Sequence, residues 1–335
     1  MTATTLPTNW PGAIARKPQP EAARPSTTIY LLVDGFSMMA FVAATEPLRI
    51  ANRIAGETLY RWQLVSASGA EVTASNGMRV LVDARLDEIT GSVRLAVCSG
   101  FLDESSPSRA VLTRLRALDG AGAVLGGIDT GCFALAEAGL LDGQTVTLHW
   151  ESLPAFRERY PLVHAVESLY EIGSRRFSCA GGMAATDMAL AELAREHGPD
   201  LADAVAEQLI HDRARDPASR QRLSIVKRLG IHNAALVRAI ALMETHLEPP
   251  LSLAVLAQRV GRSPRQLQRL FETELHTTPK AWYRDLRLDH ARSLVEATDR
   301  PLAEIALAAG FSSATAFSRA FRNRFGQAPS GLRRH

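Results

Sequence analysis

The chain has 335 residues, which is long for one folded domain and comfortable for two. It contains no run of about 18 apolar residues, so its composition excludes an ordinary membrane-spanning protein. The net charge of +3 is unevenly distributed, because residues 236–335 carry 15 Lys and Arg against 9 Asp and Glu, while the other residues carry 23 against 26. A basic C-terminal module suits nucleic-acid binding, although a solvated surplus of charge gives the same count.

The three cysteines and the N-terminus indicate the compartment. Cys98, Cys132 and Cys179 are far apart and flanked by small or apolar residues, so we expect buried, reduced thiols. No CxxC or Cys/His cluster predicts a metal site, and no pattern predicts a cofactor. Without a basic-then-apolar signal peptide, the chain is expected to be cytoplasmic. Residues 1–26 contain five prolines and are predicted to form a disordered tail.

Short apolar runs alternate with helical segments between Ile29 and His211. The predicted strands are residues 29–33, 62–67, 93–98, 123–126, 145–149, 168–172 and 177–180, with a hairpin near Val72 and Val80. The predicted helices are residues 37–54, 109–118, 130–138, 153–160, 182–197 and 201–211. This alternation predicts an α/β domain over residues 27–212, a flavodoxin-like and largely parallel sheet with helices on both faces. Residues 213–235 are predicted to be a charged linker before a helix at residues 236–246.

One strand of this domain runs into a sharp turn flanked by glycines. The sequence Val124-Leu-Gly-Gly-Ile-Asp129-Thr-Gly131 predicts a strand, a turn centred on Asp129, and a helix that opens at Thr130. Such a turn exposes its central side chain and points helix N–H groups at a ligand. We therefore expect Asp129 and Thr130 to line a ligand site.

The segments around this turn resemble the class I glutamine-amidotransferase-like sensor domain. The matching residues are Leu135-Ala-Glu-Ala-Gly-Leu-Leu-Asp-Gly143, Thr147-Leu-His-Trp150, Gly35-Phe36, Glu46-Pro47-Leu48-Arg49, Ser178-Cys-Ala-Gly-Gly182 and Asp187-Met188. The domain is often fused to a DNA-binding module, in regulators that respond to arginine, carnitine or glycine betaine. Catalytic relatives carry a cysteine at the turn, where this chain has Asp129, and Cys132 lies inside the predicted helix. The resemblance therefore implies a scaffold that has lost catalysis and kept its pocket.

Asp129 beside helix N–H groups suits a zwitterion or an amino-containing metabolite, of the amino acid or quaternary amine type. Trp150, next to His149, could supply an aromatic face for a cationic head. Residues that follow strands are expected to rim the same crevice. The predicted ligand-binding residues are Asp34, Ser99, Gly100, Asp129, Thr130, His149 and Trp150. The alternatives are that Trp150 and His149 are packed core residues and that Asp129 only caps the following helix.

The C-terminal part contains one short pattern twice, at residues 253–271 and 302–321. Gly261 matches Gly310, and Ser263 matches Ser312, at an offset of 49; after one inserted residue the offset becomes 50. Each copy predicts two helices joined by a tight turn at the glycine, with the serine as N-cap of the second helix. In the first copy Pro264 then takes the first helical position.

The second helix of each copy has one apolar and one polar face. The predicted inward residues are Leu267, Leu270, Phe271 and Leu275, and in the second copy Phe317, Ala320, Phe321 and Phe325. The predicted DNA-binding residues, all outward, are Arg265, Gln268, Arg269, Thr315, Ser318, Arg319 and Arg322. Helix-turn-helix units place such a face in the major groove. The alternative, an amphipathic helix pair with a solvated face, is disfavoured by the second copy at matching spacing.

Residues 236–335 resemble the DNA-binding domain of the AraC family of transcription regulators, on the two copies, the Gly310-Phe311-Ser312 turn and the closing Gly326-Gln-Ala-Pro329. His276 departs from the family pattern, which has glycine at this helix end, so we expect mild backbone strain there. The resemblance implies activation through contact with RNA polymerase. We expect a homodimer on double-stranded DNA and no enzymatic activity. Two rival functions are an amidase or hydrolase tethered to DNA, which Asp129 in the turn disfavours, and a non-specific architectural DNA binder.

Overall fold

The computed structural model describes residues 25–100, 107–212, 214–222, 225–298 and 300–332. The chain divides into two compact units. Unit 1 comprises Met1–His149 and Leu162–Ser219, and unit 2 comprises Trp150–Pro161 and Arg220–His335. The predicted disordered tail lies outside the described residues up to residue 24, and the first strand begins at Ser26.

Unit 1 is built on a seven-stranded sheet, with two short two-stranded pairs beside it. The strands are β1 (Ser26–Leu32), β2 (Tyr60–Ser66), β3 (Val72–Thr73), β4 (Arg79–Val80), β5 (Ala84–Arg85), β6 (Arg94–Cys98), β7 (Val124–Ile128), β8 (Thr145–Val146), β9 (His164–Ala165), β10 (Tyr170–Ile172) and β11 (Arg176–Cys179). The sheet order is β10-β11-β7-β6-β1-β2-β5, and every neighbouring pair is parallel except β10 with β11. The predicted α/β class with a largely parallel sheet is confirmed.

Helices alternate with these strands. They are α1 (Met38–Ala55), α2 (Arg109–Gly120), α3 (Cys132–Glu137), α4 (Leu153–Arg159), α5 (Ala184–His197) and α6 (Pro199–Gln208), of which α4 belongs to unit 2. Helix α1 begins where Ser37 Oγ accepts the N–H of Ala40 at 3.3 Å, and it ends at Gly56, whose φ of 67° is left-handed. Phe41, Ala44 and Leu48 lie on one face of α1 and are buried, so the apolar stripe fixes which side of the helix faces the sheet.

One predicted strand is wrong in extent. Residues 145–149 were expected to form a strand, but only Thr145–Val146 does, and it pairs with β9 outside the main sheet. The reason lies in the next residue. The Thr147 N–H donates to Ser178 Oγ at 2.8 Å, and Thr147 Oγ1 donates to the Ser168 carbonyl at 2.7 Å. These side-chain hydrogen bonds compete with strand pairing and satisfy the buried backbone in its place.

Unit 2 contains the helical part of the chain. Its remaining helices are α7 (Ile225–Leu229), α8 (Ala234–Thr245), α9 (Leu253–Arg259), α10 (Pro264–Leu275), α11 (Pro279–Ala297), α12 (Leu302–Ala308), α13 (Ala314–Phe325) and α14 (Pro329–Leu332). Helix α7 lies inside the predicted linker and was not expected; its Ile225 is buried among residues of α8 and α9. No helix among the described residues is both long and apolar enough to cross a membrane.

Two hydrophobic cores divide unit 2. One gathers α8, α9 and α10 around Leu236, Leu256 and Phe271, and the other gathers α12 and α13 around Ile305 and Phe317. Helix α11 contributes to both cores, through Tyr283 in the first and Leu288 in the second. Each core therefore stabilises one helix-turn-helix copy, and α11 joins the two.

The second core also includes a residue from far earlier in the chain. Ala155 of α4 packs among Leu288, Ala291 and the other members of this core, and Glu158 of the same helix forms an ion pair with Arg300. The sequence pattern predicts this segment as part of the first domain. An apolar helix face is equally suited to either core, so the sequence pattern alone does not choose between them.

Candidate DNA-reading faces and candidate effector site

The first candidate reading helix, α10, has the N-terminus that its sequence predicts. Ser263 Oγ accepts the N–H of Gln266 at 3.2 Å, and Gln266 Oε1 accepts the N–H of Ser263 at 2.9 Å, which completes a capping box. Pro264 follows in the first turn. Leu267 and Phe271 are fully buried, so the opposite face of α10 is turned to solvent.

The second candidate reading helix, α13, repeats this arrangement one residue later than predicted. Its N-cap is Ser313, whose Oγ accepts the N–H of Ala316 at 3.2 Å, and not Ser312. The inserted residue therefore lies within the turn, and Ser263 corresponds to Ser313. The rings of Phe317 and Phe321 are both buried and 5.4 Å apart, which fixes the helix on the second core.

The structure describes all seven predicted DNA-binding residues on these two helices. Six have exposed side chains and Ser318 is half-buried, and they are Arg265, Gln268, Arg269, Thr315, Ser318, Arg319 and Arg322. The Gln268 side chain donates to Glu272 Oε1 at 2.9 Å, so part of its donor capacity is used within α10. Four guanidinium groups make no hydrogen bond or ion pair with any described residue and so are available on the outward faces, those of Arg265, Arg269, Arg319 and Arg322.

Other arginines of unit 2 have structural partners. Arg324, in the last turn of α13, donates to Asp289 Oδ2 at 2.6 Å and lies 3.2 Å from Asp285 Oδ2, so it ties α13 to α11. Arg228 of α7 donates to Glu244 of α8 at 2.7 Å. The sequence alone does not distinguish these structural arginines from the candidate DNA-binding residue Arg319, because it predicts all of them as exposed basic residues.

The elbow of unit 1 has the strand-turn-helix geometry that its sequence predicts. β7 ends at Ile128, and Asp129 takes a left-handed conformation with φ 63°. Its N–H donates to the Cys179 carbonyl at 3.1 Å. Helix α3 begins only at Cys132, with Gly131 as N-cap and no side-chain cap, so the predicted start at Thr130 is two residues early. The N-cap position of α3 is therefore Gly131 and not Asp129, which is 5% exposed.

Glycines allow this elbow to pack closely. A Cβ at Gly131 would lie 2.0 Å from the Val97 carbonyl oxygen, and a Cβ at Gly181 would lie 2.4 Å from Asp129 Oδ2. Gly181 itself has φ 86°, which other residues rarely adopt. The backbone of Gly181 thus forms a wall against the Asp129 carboxylate. This role of Gly181 does not follow from the sequence, in which it stands only within the matching segment Ser178-Cys-Ala-Gly-Gly182.

Most of the predicted ligand-binding residues meet beyond the ends of β1, β6 and β7. The Ser99 N–H donates to the Ile128 carbonyl at 3.4 Å, and Thr130 Oγ1 donates to the Gly100 carbonyl. The His149 N–H donates to the Asp129 carbonyl at 3.4 Å. Carboxyl ends of parallel strands meet at one sheet edge, which is why these residues, distant in sequence, come together.

Two of the predicted residues have other partners. The Asp34 carboxylate accepts the N–H of Thr73 at 3.0 Å, so it holds the β3–β4 hairpin. Trp150 belongs to unit 2, where the guanidinium of Arg222 lies 4.4 Å from the centre of its ring. That face of the indole is thus taken by a cation of the chain itself. Burial lowers the pKa of His149, so its imidazole is neutral near pH 7.

All three cysteines of the chain are buried in unit 1, as predicted. Cys132 Sγ donates to the Thr147 carbonyl at 3.5 Å, away from the elbow position. Burial raises the pKa of Cys132 far above its usual value, and burial raises the pKa of Cys179 to about 12. A thiol must ionise to act as a nucleophile, so these environments disfavour thiol chemistry.

A small cavity of about 30 Å³ lies elsewhere in unit 1, lined by Tyr30, Tyr60, Arg94 and Glu192 among others. The Arg94 guanidinium donates to Glu192 Oε1 at 2.6 Å and lies 3.8 Å from the centre of the Phe177 ring. Because a cavity of this size holds no more than a few water molecules, we do not assign a metabolite to it.

Comparisons with known proteins match both parts of the chain. The family described as a helix-turn-helix domain matches residues 256–335. The HTH-type transcriptional regulator CdhR of Pseudomonas aeruginosa is 46% identical over 301 residues, which cover 90% of this chain and 89% of CdhR. The HTH-type transcriptional regulator GbdR of P. aeruginosa is 39% identical over 310 residues, which cover 92% of this chain and 84% of GbdR.

One solved structure extends the match to the fold of unit 1. A crystal structure of an AraC family transcriptional regulator from Pseudomonas putida superposes with a TM-score of 0.51 and 25% sequence identity, over 55% of this chain and 100% of that one. That share of this chain is larger than the whole of unit 2, so the superposition includes part of unit 1.

Proposed function

This chain is a DNA-binding member of the AraC family of transcription regulators, and we propose that a small nitrogen-containing metabolite bound in its unit 1 controls it. The metabolite is of the amino acid or quaternary amine type. The protein acts as a homodimer and activates transcription through contact with RNA polymerase. The dimer and the polymerase contact are proposed from the family resemblance, while DNA reading and effector binding are proposed from two places in the chain, the outward faces of α10 and α13 and the elbow at Asp129.

DNA reading is assigned to the outward faces of α10 and α13. Arg265, Gln268 and Arg269 contact one segment of the major groove, and Thr315, Arg319 and Arg322 contact the next. Guanidinium and amide groups are suited to the acceptors of guanine and adenine in that groove. Two reading helices within one unit favour targets about one helical turn, roughly 10 bp, apart.

The single observation that carries the effector proposal is the state of Asp129. A carboxyl group that is 5% exposed on a left-handed residue combines two costs, burial of a charged group and backbone strain. Such costs persist where function requires them, so the elbow is the best-supported ligand site in unit 1. A cationic group of the ligand suits this carboxylate, because an ion pair offsets the burial of its charge.

The test begins with the full chain and a thermal-shift screen of amino acids and quaternary amines. A ligand that binds only the folded state at about 100 times its Kd adds about 2.7 kcal/mol to the free energy of unfolding and raises the melting temperature. Calorimetric titration of the selected compound then compares the wild type with Asp129→Asn. Removing one partner of a buried charge pair typically costs about 3–5 kcal/mol, so we expect affinity to fall by more than about a hundredfold.

Asp142→Asn is the matched control, because Asp142 is an exposed carboxylate of the same unit. Its affinity for the compound should equal that of the wild type. Unchanged affinity in Asp129→Asn, with the variant folded and its melting temperature near that of the wild type, would remove Asp129 from the site and with it the argument for a cationic ligand.

A further inference from the structure

Helix α11 is the one element that contributes to both cores of unit 2 in the described chain, so it sets the distance between the two reading helices. The apolar residues of α11 pack in one core up to Leu286 and in the other core from Leu288 onwards. Trp282, Tyr283 and Leu286 face the first core, and Leu288 and Ala291 face the second. Arg287 lies at this boundary, between the residues of the two sets.

Arg287 holds the turn of the second helix-turn-helix copy. Its Nη1 donates to the Gly310 carbonyl at 2.6 Å and lies 3.4 Å from the Ala309 carbonyl oxygen. The guanidinium also lies 5.0 Å from the centre of the Phe311 ring, directly after that turn. These residues connect α12 to α13, so the contact fixes the point from which the second reading helix starts.

Tyr283, one helical turn before Arg287, holds the loop that leads into the first copy in the same way. Its hydroxyl donates to the His246 carbonyl and accepts the N–H of Leu251 at 3.1 Å, so both ends of the loop between α8 and α9 are bound to it. The Arg287 guanidinium lies 5.7 Å from the centre of the Tyr283 ring. The two side chains thus form one contact chain from the first copy to the second.

The turn of the second copy also touches the loop that precedes the first copy. A Cβ at Gly310 would lie 2.9 Å from Arg287 Nη1, 3.0 Å from Pro250 Cδ and 3.2 Å from the Leu247 carbonyl oxygen. The loop between α8 and α9, Arg287 and the turn of the second copy are therefore packed without space for one methyl group. Burial lowers the pKa of Arg287, in agreement with a guanidinium enclosed between these elements.

We propose that Arg287 is a positioning residue that sets the spacing and angle at which α10 and α13 meet DNA, and so the separation of the two base segments that the protein accepts. The inference rests on the proposed DNA reading by these two helices. Moving one segment by one base pair displaces it by about 3.4 Å along the duplex and rotates it by about one tenth of a turn. A rigid unit rejects such a site, whereas a unit without the Arg287 contacts adapts to it.

The experiment uses a duplex selected from a randomised pool with the full wild-type chain. Its two segments are then moved one base pair closer together or farther apart, and binding is measured by fluorescence anisotropy. We expect the wild type to lose about tenfold or more on the shifted duplexes, which corresponds to about 1.4 kcal/mol. Arg287→Met, which keeps the length of the side chain and removes its donors, should lose less than about threefold.

Two further variants separate positioning from stability. Arg284→Met removes an exposed arginine of the same helix, whose ion pair is with the adjacent Asp285, and it should keep the wild-type spacing penalty. Arg287→Lys keeps one cationic donor and should restore an intermediate penalty, which also provides a readout if Arg287→Met does not fold. A merely structural role would lower affinity equally on all three duplexes and leave the spacing penalty unchanged.

The outcomes distinguish the inference from its premise. If selection yields no consensus sequence, DNA reading by α10 and α13 fails, and the inference fails with it. If a consensus with two segments appears but Arg287→Met loses as much affinity on the shifted duplexes as the wild type, only the role of Arg287 is overturned. Where Arg287→Met is unfolded, Arg287→Lys takes its place in this comparison.

Discussion

We assign Arg269 to DNA reading because no other described residue occupies its guanidinium. It projects from the outward face of α10, and no described residue binds its guanidinium, whereas Arg324 is held by Asp285 and Asp289. A guanidinium without an internal partner has all its N–H donors available for base edges. No ion pair within the protein has to be broken when it binds DNA.

Replacing Arg269 by alanine should weaken binding to the selected duplex by about 1–3 kcal/mol, or about 5- to 150-fold, if it makes a bidentate base contact. Binding to random-sequence DNA should change much less. Anisotropy titrations at one fixed salt concentration measure both affinities. Arg284→Ala serves as the control, since it removes the same charge from α11. Equal loss on both duplexes would assign Arg269 to phosphate contact instead of base reading.

Individual site residues were predictable where local sequence determines them. The turn at Asp129 and the buried cysteines follow from glycine spacing and apolar neighbours, and both are observed. The pairing of Trp150 with Arg222 and of Asp34 with Thr73 was not predictable, because each depends on a partner distant in sequence. The assignment of the ligand-binding and DNA-binding residues stays a prediction that the experiments above address.

The ends of helices α10 and α13 illustrate the element scale. Both end in a left-handed residue, which is His276 with φ 53° in α10 and Gly326 with φ 77° in α13. The sequence predicts backbone strain at His276, and the left-handed conformation of this residue agrees with that prediction. A left-handed conformation destabilises the folded state by about 1–2 kcal/mol when the residue has a Cβ. Glycine avoids this strain but loses about 0.5–1 kcal/mol more conformational entropy on folding.

His276→Gly should therefore stabilise unit 2 by about 0.5–1 kcal/mol, the difference between these two costs. Scanning calorimetry of the full chain should show one transition moved to higher temperature, by several degrees for a domain of this size. The reciprocal change, Gly326→His, should move the same transition downwards. A lower melting temperature for His276→Gly would mean that the imidazole makes a stabilising interaction in solution that outweighs the strain.

Element prediction succeeded where hydrophobic period and caps agree. Helix α10 has its serine, proline and apolar stripe in register, and its observed bounds follow them. It failed where tertiary contacts override local pattern. Residues 147–149 do not continue the strand because Thr147 forms hydrogen bonds with Ser178 and Ser168. Helix α7 forms because Ile225 is buried in the first core of unit 2, a contact that the sequence pattern does not predict. The shift from Ser312 to Ser313 reflects the inserted residue in the turn.

At the scale of the whole molecule, the repeat was the strongest sequence signal. Two copies of one pattern predicted two helix-turn-helix units, and the structure has one core for each. The α/β class followed from alternating strands and helices, and the predicted family is confirmed by relatives that align along most of the chain. The inclusion of Trp150–Pro161 in unit 2 was beyond sequence reasoning, since compact units need not be continuous in sequence.

The distribution of thiols offers a test of whether the molecule retains any catalytic chemistry. The cysteines all lie buried in unit 1, and the elbow position that would carry a nucleophile is Asp129. Iodoacetamide should therefore label the native chain slowly and without a burst, because each thiol must first become exposed and ionised. In denaturant the three thiols should react at once, and Cys132→Ala should remove one equivalent without changing the rate at the other two. Rapid native labelling of Cys132, together with amide or ester turnover that Cys132→Ala abolishes, would instead establish a hydrolase and overturn the assignment of unit 1 as a sensor.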